Sequence, residues 1–313
     1  MGQEQFPQND SLGRPLVWGR PTFLTDRDRA VFDTYSKMTI SLEDVDAYML
    51  RCTCETPSPV SDAARYHLTA GGARVRARIG LDAAIALGLS PTAALACASA
   101  PELLHNASLI HDDLQDGDAV RRKMPAVWSR YGRDAAISSG DLLISAAYKA
   151  IALHPNAGAA LCAMHDAVAV TIRGQAQDCS AKNPSSEDCA GIAADKSGPL
   201  LALPVRLALI AADAPGQEGA IRAGRAIAIA YQTLDDLIDR AADRATGATN
   251  ICLSLEAEGH DPAAASMVAT ARAQTALMSA RQDACDLPNS AGAPLLTLIT
   301  RLEAKLKELE NAA

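Results

Sequence analysis

Strand-forming patterns are nearly absent from this chain: alternating β-branched runs do not extend beyond short stretches such as Val168 to Ile172, which suit a buried helix equally well. Aromatic residues are scarce, at 4% of 313 residues. No apolar stretch is as long as a membrane span, which needs about eighteen uncharged residues. The opening MGQEQFPQNDSLGRP has neither the basic start nor the apolar core of a secretory signal. Among the eight cysteines, Cys52 and Cys54 form a close pair, but no CxxC pairs or nearby histidines suggest a zinc site. They read as reduced, mostly packed thiols. The formal net charge of −8 excludes a nucleic-acid partner held by bulk electrostatics. These absences lead to the expectation of a cytoplasmic protein.

What is present is helix. Ala and Leu dominate, and apolar residues recur at three- and four-residue spacing from about Val45 to Ala312. The expected fold is all-α. No linker-like shift in composition divides the middle, so one domain is expected over 26–313, behind a polar, Pro- and Gly-rich extension over 1–25 that is flexible or loosely docked. Breaks are expected at Thr56–Pro59, Gly71-Gly72, Ser90-Pro91, His154–Asn156, Asn183–Ser185, Ala214–Gly216 and Leu287–Asn289. A last helix, Pro294 to Asn311, carries an amphipathic stripe of leucines and Ile299 that would seal one side of a bundle.

Two acidic repeats stand out: HDDLQD with Asp112, Asp113 and Asp116, and LDDLID with Asp235, Asp236 and Asp239. On a helix the first and fifth residues of DDxxD lie one turn apart on the same face, so their carboxylates can converge. An acidic run is usually a solvated face. Here both copies sit among apolar residues, including Leu109, Ile110, Leu234, Leu237 and Ile238. Buried acids without partners are costly, so cations or basic groups must neutralise them. Magnesium takes one or two carboxylates and completes its octahedron with water and phosphate oxygens. Two such boxes suggest a diphosphate held through metal.

A diphosphate needs further donors. Arg121, Arg122 and Lys123 follow the first box, and arginine's planar fork binds phosphate oxygens in pairs. GGARVRAR places Arg74, Arg76 and Arg78 after a glycine turn that could approach a phosphate closely. Lys196 stands in DKSGP, where Ser-Gly is compatible with a helix break or kink that turns the ammonium inward.

Taken in order, ELLHNASLIHDDLQD, RRKMPAVWSRYG, SGDLL, GQAQD, DKSG and YQTLDDLID resemble the trans-isoprenyl diphosphate synthase (polyprenyl synthetase) family from about Gly71 to Asp239. The resemblance implies a helical bundle around a deep central cavity, usually a homodimer, with three Mg2+ ions held by the two boxes. It implies prenyl transfer from an allylic diphosphate to isopentenyl diphosphate. Carried over by position, Asp112, Asp113, Asp116, Asp235 and Asp239 would bind magnesium, with Asp236 supporting. Arg121 and Lys196 would hold the allylic diphosphate. Arg76, His105 and Arg122 would hold isopentenyl diphosphate, while Gln175, Asp178 and Gln232 would line the cavity. Metal-assisted ionisation would thus draw on Asp112, Asp113, Asp235, Gln232 and Lys196. Arg74 joins the substrate-binding set as part of the basic cluster.

Two departures accompany the match. Ala73 replaces the lysine of the usual Gly-Gly-Lys-Arg, and the segment after Asp239 has no lysine, leaving Arg240 and Arg244 as its cations. Lys123 stands where glycine is usual and could compensate. Product length would depend on the cavity floor at Leu104, Ala107 and Ser108, where short-chain members place a bulky aromatic. The small residues here favour a twenty-carbon product over a fifteen-carbon one. A class I terpene cyclase and a silent regulatory subunit are the alternatives. The first leaves Arg76, His105 and Arg122 without a task, and the second leaves the intact acidic boxes unexplained.

Overall fold

Serine-proline and asparagine punctuation sets the helix boundaries. The computed structural model describes residues 40–312; the extension over 1–25 and the onset of helical patterning near Asp26 lie outside the described residues. The described residues form α1 (Leu42–Cys54), α2 (Pro59–Thr69), α3 (Val75–Ala86), α4 (Pro91–Asp116), α5 (Val127–Tyr131), α6 (Arg133–Ile151), α7 (Ala157–Ser180), α8 (Ser186–Ala211), α9 (Gln217–Thr246), α10 (Ile251–Ala257), α11 (Pro262–Cys285) and α12 (Ala293–Ala312). All the breaks read from the sequence fall between helices. Ser58 and Ser90 are N-caps followed by proline at the first helical position, and Ser185 caps α8 reciprocally with Asp188. Each such cap satisfies otherwise orphaned amides and contributes about 1 kcal/mol.

The sequence did not foresee the connection after the first acidic box. Val120–Arg121 pairs antiparallel with Met124–Pro125, making β1 and β2, with Arg122 (φ 51°) and Lys123 (φ 64°) as the two-residue turn. Positive φ at both central positions suits hairpin twist but strains side chains other than glycine. Lys123 therefore occupies a left-handed position, the kind of site glycine fills without strain.

Helix α4 is buried on nearly every face from Thr92 to Ala107, as expected of a central helix, and it packs against α3, α6 and α8. Helix α8 lies between α7 and α9 and runs without a break through Lys196-Ser197-Gly198. The break considered at this point is absent because the glycines here serve close packing. A Cβ on Gly174 would stand 2.4 Å from the Lys196 amide nitrogen, and one on Gly198 would stand 2.8 Å from Arg225 Cα. On α12, Leu295, Ile299, Leu302 and Leu306 are buried in the main core. A small second cluster joins Cys189, Ile251, Cys252, Leu255, Ala265 and Ala269. None of the eight cysteines forms a disulfide; Cys52, Cys97, Cys189 and Cys252 are buried, whereas Cys162, Cys179 and Cys285 are exposed, so fewer are packed than the composition suggested. Among the described residues, no helix is long and apolar enough to cross a membrane.

Candidate active site

A cavity of about 460 Å³ opens among α3, α4, α6, α7 and α8. Leu104, Ala107 and Ser108 line it from α4. The opposing wall is Ile144, Val168, Ile172 and Leu200. These come from three other helices, and nothing in sequence order marks them as neighbours. Asp112, Gln175, Lys196, Arg76 and His105 also border the cavity.

The last turn of α4 carries the first acidic box and ends at Gly117, whose φ of 76° suits a helix C-cap. Asp112 Oδ1 lies 3.3 Å from Lys196 Nζ, which also donates to Asp178 at 2.7 Å. Burial opposes the Lys196 charge, but Asp112 and Asp178 together hold its pKa above the ordinary value. Asp116 is exposed; its pKa is raised by partial burial and by Asp112. Asp113 is different. It is 1% exposed and its Oδ1 accepts from Arg121 Nε at 2.5 Å.

The second box, on α9, repeats this division. Asp236 is buried and accepts from Gln232 Nε2 at 2.8 Å and from the Ile251 amide at 2.7 Å. Asp235 has no such partner, and burial followed by the charge of Asp239 pushes its pKa up to about 6. Asp113, expected among the metal ligands, and Asp236, expected to support them, each engage an internal partner, and Asp113 Oδ2 is buried without one. The reason is angular. Residue i+1 lies about 100° around a helix from residue i, whereas i+4 returns to nearly the same direction. Gln232, expected beside the chemistry, orients Asp236 instead.

Opposite the acids lies a basic cluster. Arg76 Nη1 is 3.1 Å from His105 Nε2. Burial, and then the neighbouring arginines, lower the pKa of His105 well below 6.5. Arg122 Nη1 donates to Gly71 O, and its guanidinium lies where a Cβ on Gly72 would come within 2.8 Å. The Nε of Arg76 is buried without a hydrogen-bond partner. Such an orphaned donor beside a cavity is what an absent anion would satisfy. Arg74, expected to bind substrate, is a brace: its Nε donates to Asp46 at 2.7 Å and its Nη2 to Leu68 O at 2.6 Å. Gln175 donates to Gln115 Oε1 at 3.1 Å at the cavity edge.

Two buried groups escaped the sequence reading. Glu102, 2% exposed, accepts from the Ala77 amide and lies 3.8 Å from Arg74 Nη1; a lone acid in an apolar run was its available signal. His67 is buried, and burial, then Arg122 and Arg121, push its pKa down to about 3. Its folded pKa lies below the ordinary 6.5. As pH falls through that range the unfolded chain takes up a proton that the native state refuses, so stability is lost. Relative to a His67→Asn variant, the wild type is expected to lose about 1.4 kcal/mol per pH unit between about pH 6 and pH 4, read by chemical denaturation. A variant with the wild-type slope would remove His67 from this account.

A family model for polyprenyl synthetases matches residues 57–253. The chain belongs to the polyprenyl synthetase family. It is 36% identical over 174 residues to a (2E,6E)-farnesyl diphosphate synthase of Mycobacterium tuberculosis, covering 53% of this chain and 48% of that protein. It is 32% identical over 195 residues to a geranylgeranyl diphosphate synthase of Methanosarcina mazei, covering 59% and 60%. The chain thus spans about half the length of the first of these relatives. Its fold resembles that of a geranylgeranyl pyrophosphate synthetase from Pyrococcus horikoshii, with a TM-score of 0.74, 24% identity, and coverage of 88% of this chain and 99% of the other.

Among the described residues, no group of three or more His, Cys, Asp or Glu side chains is arranged to hold a metal by itself. The donors nonetheless fit a hard divalent cation that shares its ligands with a substrate. Asp235 is crowded by the charge of Asp239, which Lys305 only partly offsets, Asp116 repels Asp112 and Asp178, and all are oxygen donors. Arg240 and Arg244, the cations after Asp239, are both paired to Glu256, Arg244 at 2.6 Å. Both guanidiniums are thus engaged within the fold.

Proposed function

We propose that this chain is a magnesium-dependent prenyltransferase that condenses isopentenyl diphosphate with an allylic diphosphate into a trans-prenyl diphosphate, with a twenty-carbon product. The observation that carries the reading is one cavity bordered by Asp112 and Lys196 on one side and by the Arg76–His105 pair on another. In this reading the second box, on α9, adds its carboxylates to the acidic side. Two oppositely charged regions around an apolar pocket suit two diphosphates, one bound through cations and one bound directly by arginine.

In this reading Asp112, Asp116, Asp235 and Asp239 hold Mg2+, three ions by family resemblance, and Lys196 contacts the same allylic diphosphate. The bound ions supply electrostatic stabilisation of the departing diphosphate. The allylic C–O bond breaks with its electron pair leaving on the diphosphate. Leu104, Ala107 and the apolar opposing wall exclude water from the allylic cation. Arg76, His105 and Arg122 hold isopentenyl diphosphate so that its double bond attacks, and loss of a proton restores an alkene. Arg121 acts indirectly in this scheme, by fixing Asp113 behind the box. The named relatives differ in product, so the twenty-carbon assignment rests on small Ala107 and Ser108. Assembly as a homodimer is part of the proposal.

The test is incubation with Mg2+, isopentenyl diphosphate and dimethylallyl, geranyl or farnesyl diphosphate, followed by product analysis. Longer prenyl diphosphates requiring both substrates are expected. A hydrocarbon or alcohol from one diphosphate alone would identify a cyclase, and no turnover would favour a silent subunit.

A further inference from the structure

Helix α4 ends in mutually repelling acids, and Arg121 and Lys196 restrain only the faces that carry Asp113 and Asp112. The carbonyls of a final turn lack intrahelical partners, so such a turn frays unless it is docked. His111 directly precedes Asp112, and its ring lies against Gly140 of α6. A Cβ on Gly140 would stand 2.1 Å from His111 Nε2, 2.6 Å from Cδ2 and 2.7 Å from Cε1. Any Cβ there would displace the ring from this position. His111 Nε2 is also 3.4 Å from Ile137 O and 3.7 Å from Asp141 Oδ1. Both His111 and Asp141 line the cavity.

We propose that Gly140 is a positioning residue: it forms the socket for the His111 ring, pinning the last turn of α4 to α6 and fixing where Asp112 and Asp116 project. The socket works by shape, because it fills the space a Cβ would take. It adds to the Arg121–Asp113 and Lys196–Asp112 contacts a third restraint on the rotation of the helix end. The inference rests on the reading of these aspartates as cation-bridged diphosphate ligands.

The test is calorimetric titration of Mg2+ with inorganic diphosphate into the full chain, for the wild type, Gly140→Ala, His111→Ala and the double variant. Each single change is expected to weaken Mg2+ binding by roughly tenfold or more, as loss of a ligand-orienting contact does. The double variant should be no weaker than the weaker single, since both break one contact. The KM for isopentenyl diphosphate should stay at the wild-type value, a split that general loss of structure would not produce. A folded Gly140→Ala protein with wild-type Mg2+ affinity, or effects that multiply, would overturn the proposal. If Gly140→Ala does not fold, His111→Ala removes atoms without adding any, and wild-type affinity there overturns it equally. A wild-type chain that binds no Mg2+ with diphosphate overturns the prenyl-transfer reading and this inference with it; intact wild-type binding with unaffected variants overturns the inference alone.

Discussion

An Asp235→Asn variant is expected to lose about 10³-fold or more in kcat/KM while its metal-free form becomes more stable at pH 7 than the wild type. The activity loss follows from removing a carboxylate that would hold a cation against the departing diphosphate, a contribution of several kcal/mol at about 1.4 kcal/mol per tenfold. The stability gain follows from linkage. The Asp235 pKa in the folded chain is raised from 3.8 to about 6. Between those values the folded state holds a proton that the unfolded state has released, so stability falls as pH rises through the window. At pH 7 the full penalty is present, roughly 1 kcal/mol after discounting for solvent screening. Asparagine removes it and should raise the melting temperature by about 2 °C. At pH 3.5 the two proteins should melt together. Activity within tenfold of the wild type, or a variant that melts lower at pH 7, would contradict the assignment of Asp235 to an unpaired, cation-seeking site.

The second large effect concerns product length. Ala107 is 1% exposed and borders the cavity more than one turn below Asp112, and one turn is about 5.4 Å of depth. An Ala107→Phe ring should enter the cavity toward Ile144 and Val168 and close its lower part. The proposed twenty-carbon product should give way to a fifteen-carbon one, with the ratio changing by at least about tenfold, given that even one methylene in an apolar pocket discriminates by 10- to 200-fold. Because the ring fills existing space, overpacking strain should stay below the 1–3 kcal/mol seen in closed cores. Product chromatography reads the ratio directly. An unchanged product spectrum in a folded variant would move the floor to other residues, and a large fall in melting temperature would show that the ring had been forced into the core instead.

Much of the architecture was legible in the chain because its determinants are local. Ser58-Pro59, Ser90-Pro91 and Asn183–Ser185 announce helix starts through hydrogen bonds within three residues. The stripe of α12 was visible because its period is that of one helix. The hairpin at Arg121–Met124 was not, since two-residue strands carry no periodic signal and its turn lacks the glycine that usually advertises it.

The same boundary runs through the site. The sequence by itself determined which carboxylates share a helix face, because Asp112 with Asp116 and Asp235 with Asp239 are related by the helical repeat alone. It also determined that Ala107 and Ser108 are small and that Ala73 is no cation. Only the tertiary structure decided that Asp113 faces Arg121 and that Asp236 faces Gln232 and Ile251. It likewise decided that Arg74 braces Asp46, that Arg240 and Arg244 are consumed by Glu256, and that Ile144, Val168, Ile172 and Leu200 close the cavity. Spacing along one helix dictates direction, but whether a charge meets a counter-charge, a carbonyl or open space depends on which other helix packs there, and that is set by interactions distributed over the whole core.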